Sequence, residues 1–211
     1  MLFSGLDEEE ILYLIELLKP KAKEFKKGSF ILESGDTSDE IGLLLSGTIL
    51  LTQEDIWGHR SIINKLPAGN TFAEPFATAK VPLNLSIEAH EDCLVILFKL
   101  DKLLSLDYLT DPTHNKLVKN LVNVLVKKAF NLNAKISHMN KRSTREKLLS
   151  YLSSQSQKNN NLEFDIPFDR QQLADYLGVE RSAMSVELSK LQKDGILKTK
   201  RNHFKINMIE K

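Results

Sequence analysis

The feature that most constrains the fold is a thirty-residue stretch, 168–197, that holds two short helical segments and the turn between them. Asp169 can cap the first segment by accepting a hydrogen bond from a free backbone N–H. Gly178 ends that helix, and the second opens near Glu180. The apolar positions of both segments recur at helical spacing: Leu173, Ala174, Leu177, Met184, Leu188 and Leu191. The stretch therefore predicts a helix-turn-helix.

The outward face of the second segment is small, polar and basic, which suits a helix that enters the major groove of DNA. Residues 196–206 follow as two short strands around a polar turn, which is typical of a wing. We expect the cations and Gln171 to contact mainly phosphates. The full set of predicted DNA contacts, from both helices and the wing, is Arg170, Gln171, Arg181, Ser182, Ser185, Val186, Lys190, Lys200 and Arg201.

The charge distribution agrees with this prediction. Residues 141–211 hold fourteen Lys and Arg against nine Asp and Glu, a net of +5, whereas residues 1–140 carry a net of −4. A basic C-terminal part is what a nucleic-acid surface requires.

The N-terminal part has a different pattern. After an acidic helix at 5–19, residues 21–100 alternate apolar and polar positions in short runs separated by turn residues, which predicts an antiparallel β-roll of the jelly-roll type. The predicted strands are Phe30–Leu32, Ile41–Leu45, Thr48–Thr52, Arg60–Leu66, Asn84–Ala89 and Cys93–Lys99. Together with the helices this is an α+β fold.

A long helix is predicted over residues 111–140. Seven apolar residues follow one another at alternating spacings of four and three, which is a heptad pattern and favours a homodimer interface: Val118, Val122, Leu125, Ala129, Leu132, Ile136 and Met139. A second stripe, Leu117, Leu121 and Val124, is expected to pack on the roll of its own subunit. We therefore expect a sensor domain at 1–110, a dimerisation helix at 111–140 and a DNA-binding domain at 141–211. A helix is predicted through Leu148, Leu149 and Leu152 to Ser156, and the polar residues 153–161 are expected to form a surface loop.

Composition excludes several classes of protein. No run of about twenty apolar residues and no signal peptide are present, which predicts a cytoplasmic protein without a membrane partner. The single cysteine, Cys93, permits no internal disulfide and no iron–sulfur cluster. The sequence contains no zinc motif, no glycine-rich phosphate-binding loop and no catalytic motif. We therefore expect that the protein binds neither a metal nor a cofactor and that it is not an enzyme.

The order of these elements resembles the Crp/Fnr family of bacterial transcription regulators, which have a cyclic-nucleotide-binding-like roll, a long dimerisation helix and a winged helix-turn-helix. The resemblance covers nearly the whole chain and is carried by Gly28, Gly35-Asp36, Gly47, Gly69, Phe72-Ala73-Glu74, Ala89, Arg170-Gln171 and Gly178-Val179-Glu180-Arg181. It implies DNA binding at a pseudopalindromic site. It also implies that the roll senses a small effector or contacts RNA polymerase.

The family's cyclic AMP cassette is incomplete. Glu74 is present, but Ala73 stands in the position of a glycine and Pro75 removes a backbone N–H donor. In addition, no arginine occurs between Arg60 and Arg142 to pair a cyclic phosphate. Because an unpaired buried charge is costly, cyclic AMP is not the expected effector. Lys80 could substitute only as a point charge. The remaining pocket candidate is lined by Phe72, Glu74, Phe76, Leu83 and Leu85.

Two further departures concern cofactors and base reading. The oxygen-sensing branch of the family needs clustered cysteines, which this chain lacks, and His90 with Cys93 is a poor haem-ligand pair because both lie at one strand turn. Val186 stands where the family commonly has an arginine. Valine cannot read guanine, although its methyls can touch the thymine methyl group. The alternative function is a ligand-binding module whose winged helix contacts protein instead of DNA.

Overall fold

The computed structural model describes residues 1–58, 60–108 and 110–207. The chain forms two compact units. The first comprises Met1–Arg60 with Asn64–Ala129, and the second comprises Ser61–Ile63 with Phe130 onwards. Among the described helices, none combines the length and the apolar composition that a membrane span needs.

The first unit begins with helix α1, Glu8–Leu18, which Asp7 caps by accepting from the backbone N–H of Glu10. Its eight strands are β1 Lys21–Phe25, β2 Phe30–Leu32, β3 Glu40–Ser46, β4 Thr48–Glu54, β5 Arg60–Pro67, β6 Thr71–Phe72, β7 Ser86–Ala89 and β8 Cys93–Lys99. In the described part of this unit, three α-helices and a 3-10 helix, Leu106–Tyr108, follow or interrupt them: α2 Glu74–Ala79, α3 Leu100–Leu103 and α4 Pro112–Met139.

The strands form two four-stranded sheets, in the orders β1-β8-β3-β6 and β2-β7-β4-β5. β8 lies between β1 and β3 and is antiparallel to both. Gly42 of β3 is required by packing, because a Cβ at this position would lie 2.0 Å from the ring of Phe72. The predicted antiparallel roll is confirmed. β1, β6 and α2 were not predicted.

The core of the first unit includes part of α4. Leu117 and Leu121 are buried among residues of α1, β3 and β8, as predicted for the stripe that packs on the roll, whereas Val124, the third residue of that stripe, is half-buried. The side chain of Phe72 is also buried, in a second cluster that fills the space within the roll. The contacts of Leu117 and Leu121 join the N-terminal half of α4 to the rest of the first unit.

The second unit contains three helices and a small sheet. After the C-terminal end of α4 come α5 Thr144–Asn159, β9 Glu163–Asp165, α6 Arg170–Leu177, α7 Arg181–Lys193, β10 Leu197–Lys200 and β11 His203–Ile206. The sheet order is β10-β11-β9, so the two wing strands gain a third that was not predicted. The expectation of a loop at 153–161 is wrong for most of that range, because α5 continues to Asn159 and ends where Asn160 adopts a left-handed conformation with φ 49°.

Candidate nucleic-acid interface

The helix-turn-helix is formed by α6 and α7. Asp169 accepts from the backbone N–H of Gln172, and the Gln172 side chain accepts from the backbone N–H of Asp169, so the start of α6 is doubly capped. Gly178 ends α6 at φ +60°, and the Val179 N–H donates to the Ala174 carbonyl at 3.0 Å. Three residues of α7 face inward and are buried with those of α6: Met184, Leu188 and Leu191. The predicted caps and apolar stripe are confirmed.

The opposite face of α7 is open to solvent. Arg181 is the first residue of the helix, and Ser182, Ser185 and Ser189 are exposed beside it. Val186 is also exposed, with 54% of its surface accessible. Lys190 is exposed and its ammonium lies 2.6 Å from a carboxylate oxygen of Glu187.

The wing presents its cations at the turn between β10 and β11. Lys200 and Arg201 are exposed there, and Arg201 has a positive φ of 55°. His203, at the base of the turn, lies 3.0 Å from Asp165 and 3.2 Å from Glu163 of β9. The hydrogen bond to Asp165, followed by that to Glu163, raises the pKa of His203 above its usual value.

Arg170 is oriented differently from the other predicted contacts. Its Nη2 atom donates to the Thr199 hydroxyl at 2.6 Å, and its guanidinium lies 4.9 Å from the ring centroid of Phe204. Its Nη1 atom is buried and has no hydrogen-bond partner among the described residues. The guanidinium is thus directed toward the protein, where it connects the start of α6 to the wing. Gln171 remains exposed, with its amide donating to Asp175 at 2.8 Å.

Lys135 is a residue of this unit that was not predicted. Its ammonium donates to the Ile63 carbonyl at 2.8 Å and the Ile62 carbonyl at 3.3 Å, and it lies 4.4 Å from the ring centroid of Tyr176. Burial lowers the pKa of Lys135 to about 8. The lysine interrupts the apolar pattern of α4, but its carbonyl partners lie more than seventy residues earlier, so the sequence cannot reveal them.

The predicted dimer-interface residues lie on α4. Val118 is half-buried, whereas the other six positions are exposed in the single chain. Leu132 is 55% exposed and Ile136 is 47% exposed. Val126 and Phe130 are exposed as well, at 48% and 70%. A continuous series of exposed apolar side chains along a helix is the pattern expected of a surface that another helix covers.

One of the predicted effector residues, Glu74, belongs to an ion pair in the first unit. The Lys128 ammonium of α4 lies 2.6 Å from a carboxylate oxygen of Glu74 and 2.6 Å from the Thr71 carbonyl oxygen. The Thr71 hydroxyl also donates to Glu74. The Glu74 side chain is only 4% exposed. The Glu74 carboxylate is therefore already engaged by a cation of the protein itself.

The remaining predicted pocket residues contribute to the core. Phe72 and Leu83 are buried, and Phe76 and Leu85 pack against the same cluster. Lys80 lies at the end of α2, exposed, and its ammonium is 3.7 Å from Asp101. The structure brings Phe72, Glu74, Phe76, Leu83 and Leu85 into one region, but it does not bring Lys80 to Glu74.

Cys93 is buried, its thiol lies 3.1 Å from the Glu91 carbonyl and 3.4 Å from the Thr48 carbonyl, and burial raises its pKa. Over the part of the chain that the structure describes, no group of three or more His, Cys, Asp or Glu side chains could hold a metal ion.

Two family models match the chain. Residues 22–106 match the cyclic nucleotide-binding domain, and residues 146–211 match the Crp-like helix-turn-helix domain. The transcriptional activator protein FnrL of Cereibacter sphaeroides is 23% identical over 201 residues, covering 90% of this chain and 77% of that protein.

Solved structures share the architecture. FixK2 from Bradyrhizobium japonicum superposes with a TM-score of 0.65 at 18% identity, over 90% of this chain and 93% of that one. A CooA mutant from Carboxydothermus hydrogenoformans superposes with a TM-score of 0.74 at 17% identity, over 95% of this chain and 93% of that one. These likenesses identify the fold: antiparallel sheets at the N-terminus, a long helix and a C-terminal helix-turn-helix domain.

Proposed function

The chain belongs to the Crp/Fnr family of transcription regulators, and from this we infer that it is a homodimeric, cytoplasmic bacterial regulator that binds a two-fold symmetric DNA site. The observation that carries the proposal is α7, which buries Met184, Leu188 and Leu191 and leaves Arg181 and Val186 exposed. A helix packed in this way can enter the major groove without unfolding its own domain.

The proposed division of labour follows the domain boundaries predicted from the sequence. Residues 1–110 receive a signal or contact RNA polymerase, residues 111–140 join two subunits, and residues 141–211 bind DNA. Residues 208–211 lie outside the described residues. No catalytic role is proposed, because the family is one of transcription regulators.

Selection of bound sequences from a random duplex pool tests this function directly. The full-length protein is expected to enrich a pseudopalindrome whose half-site centres are about 34 Å apart, one helical turn of DNA. Enrichment of a half-site alone would argue against a dimer that reads both halves. Failure to enrich any sequence would contradict specific DNA binding.

Salt dependence separates DNA binding from the alternative, a winged helix that contacts protein. Contacts to phosphates release counterions, so the logarithm of the association constant should fall linearly with the logarithm of salt concentration, by about 0.9 per phosphate neutralised. Binding to the selected duplex should therefore weaken steeply between about 50 and 200 mM salt. Failure to bind duplex DNA at low salt would favour the protein-binding alternative.

We propose further that the effector, a small molecule, is not cyclic AMP. Glu74 is engaged by Lys128, and no arginine between Arg60 and Arg142 is available to pair a cyclic phosphate. Titration calorimetry with cyclic AMP should give no binding heat, and the nucleotide should leave affinity for the selected duplex unchanged. A saturable heat accompanied by tighter DNA binding would overturn this part of the proposal.

A further inference from the structure

The exposed face of α7 is poor in hydrogen-bond donors at its centre. Ser185 donates its hydroxyl proton to the Arg181 carbonyl at 2.8 Å, and Ser189 donates to the Ser185 carbonyl at 3.0 Å. A serine hydroxyl has one proton to give, so both side chains are left as acceptors toward solvent. Val186, which lies between them on the same face, offers only methyl groups.

The neighbouring cations do not supply the missing donors at this centre. Lys190 is one turn beyond Val186, and its ammonium is paired with Glu187 at 2.6 Å. Arg181 and Ser182 lie at the start of the helix, where both are exposed. The described structure thus divides the face into two ends that can donate, at Arg181 and Lys190, and a centre formed by Ser185, Val186 and Ser189. At this centre the hydroxyl protons are engaged within the helix, and the groups that face solvent accept hydrogen bonds or make apolar contact.

The four base pairs differ in what they present to such a centre. In the major groove guanine offers two acceptors, N7 and O6, which need donors and would remain unpaired against it. Adenine and cytosine each offer an amino group, which a serine oxygen can accept, so the feature that singles out an A·T pair is the thymine methyl group, which valine can contact. An unpaired polar group buried at an interface weakens binding, so the centre discriminates against guanine as well as favouring A·T.

We propose that Val186 is a specificity-determining residue that reads a thymine methyl group, and that the A·T pair carrying it lies beneath the centre of α7 in each half-site. This inference rests on the proposed function and deepens it. Guanine, where the half-site contains it, is read from the N-terminal part of the face by Arg181.

The experiment uses the full-length protein and the duplex obtained by selection, with each thymine replaced in turn by deoxyuridine, which lacks only the methyl group. At one thymine per half-site the replacement should weaken binding about three- to fourfold, as expected for loss of one buried methyl. Val186→Ala should bind the thymine duplex more weakly by a similar factor and should no longer distinguish thymine from deoxyuridine there. Because Val186 is exposed, the alanine variant should keep the fold, which circular dichroism verifies.

A second variant tests the direction of the preference. Val186→Arg introduces a donor pair that suits guanine, so selection with this variant should replace the A·T pair by G·C at the same position. Wild-type binding that is indifferent to deoxyuridine at every thymine, or Val186→Ala binding that keeps the full sensitivity, would overturn the inference while leaving the proposed DNA-binding function intact. Failure of the wild-type protein to select any duplex would instead remove the proposed function itself.

Discussion

Lys135 is held in surroundings that oppose its charge. It is 9% exposed, and its ammonium is compensated by two carbonyl oxygens and the Tyr176 ring rather than by a carboxylate. Burial lowers the pKa of Lys135 to about 8, whereas the unfolded chain keeps the ordinary lysine value near 10.4. The folded protein therefore bears the cost of the buried charge below pH 8 and loses that cost as the pH rises.

Between about pH 8 and pH 10.4 the unfolded chain binds more protons at Lys135 than the folded chain does, so the free energy of unfolding should rise with pH, by at most about 1.4 kcal/mol per pH unit. Urea unfolding across this range should show a contribution of this sign in wild type and in the control Lys127→Met, which changes an exposed lysine of the same helix. Lys135→Met should lack it. Parallel plots of the free energy of unfolding against pH for all three proteins would contradict the lowered pKa of Lys135.

Arg181 is placed to make the donor contact of the recognition helix. It is the first residue of α7 and is exposed, so its guanidinium can reach a base edge when the helix enters the major groove. Arg181→Ala should weaken specific binding by about 1–3 kcal/mol and relax the preference at one base position. Lys190→Ala, which removes a predicted phosphate contact, should instead weaken binding to all sequences alike. Binding assays on single-base variants of the selected duplex measure both effects, and unchanged affinity and preference for Arg181→Ala would remove it from the reading set.

At the scale of elements, the sequence predicted what periodicity and capping determine. β2 and β8 have the predicted bounds, and α6 has the predicted cap, because alternation and an Asp followed by Gln at the third helical position are local signals. The three-residue strand β9 exists because it pairs with β11, about forty residues away. Such a strand has too few residues to show a pattern of its own. The polar end of α5 was misread because its exposed Ser, Gln and Asn residues lack an apolar stripe.

The candidate site was predictable to a similar extent. The exposed face of α7 follows from which residues the helix buries. The orientation of Arg170 does not, because Thr199 and Phe204 lie on wing strands whose placement the sequence alone does not fix. Glu74 was identified as a pocket residue, but its partner Lys128 is 54 positions away on α4. Pairing across such a distance is a property of the packed fold.

The ion pair between α4 and the roll gives an element-scale prediction. Lys128→Met would leave the buried Glu74 carboxylate without its cation, and removing one partner of such a pair should lower the free energy of unfolding by about 2–4 kcal/mol. Because the side chain of Lys128 is 31% exposed, the value should fall below that of a fully buried pair. Lys127→Met is the matched control and should change stability by less than about 0.5 kcal/mol.

Combining Lys128→Met with Glu74→Gln distinguishes the pair from a general effect of losing the lysine. Removing both charges should cost less than the sum of the two single substitutions, since no unpaired carboxylate remains. Urea unfolding, monitored by circular dichroism, gives the change in the free energy of unfolding for each single variant and for the double variant. Additive effects, or equal losses for Lys127→Met and Lys128→Met, would show that the ion pair does not hold α4 to the roll.

At the scale of the whole molecule, the exposed apolar residues of α4 predict the oligomeric state. Leu125 and Leu132 are 39% and 55% exposed, and seven residues apart they occupy equivalent positions of the heptad. Two copies packed along this surface would remove both leucines from water, so lysines there should prevent association. Leu125→Lys with Leu132→Lys should give a monomer of about half the wild-type mass by light scattering. Leu12→Lys, at a position on α1 that is 56% exposed, should leave the dimer intact.

Loss of the dimer should appear in DNA binding as well, because two recognition helices on one duplex act at high effective concentration. Wild type should bind the full pseudopalindrome at least about a hundredfold more tightly than a single half-site. The variant with both Leu125→Lys and Leu132→Lys, the double-lysine variant, should bind a single half-site with the wild-type affinity. A second half-site on the same duplex should raise its affinity only slightly. A double-lysine variant that scatters as a dimer would refute the heptad interface. A monomer with undiminished affinity for the full site would show that pairing along α4 is not what positions the two reading helices.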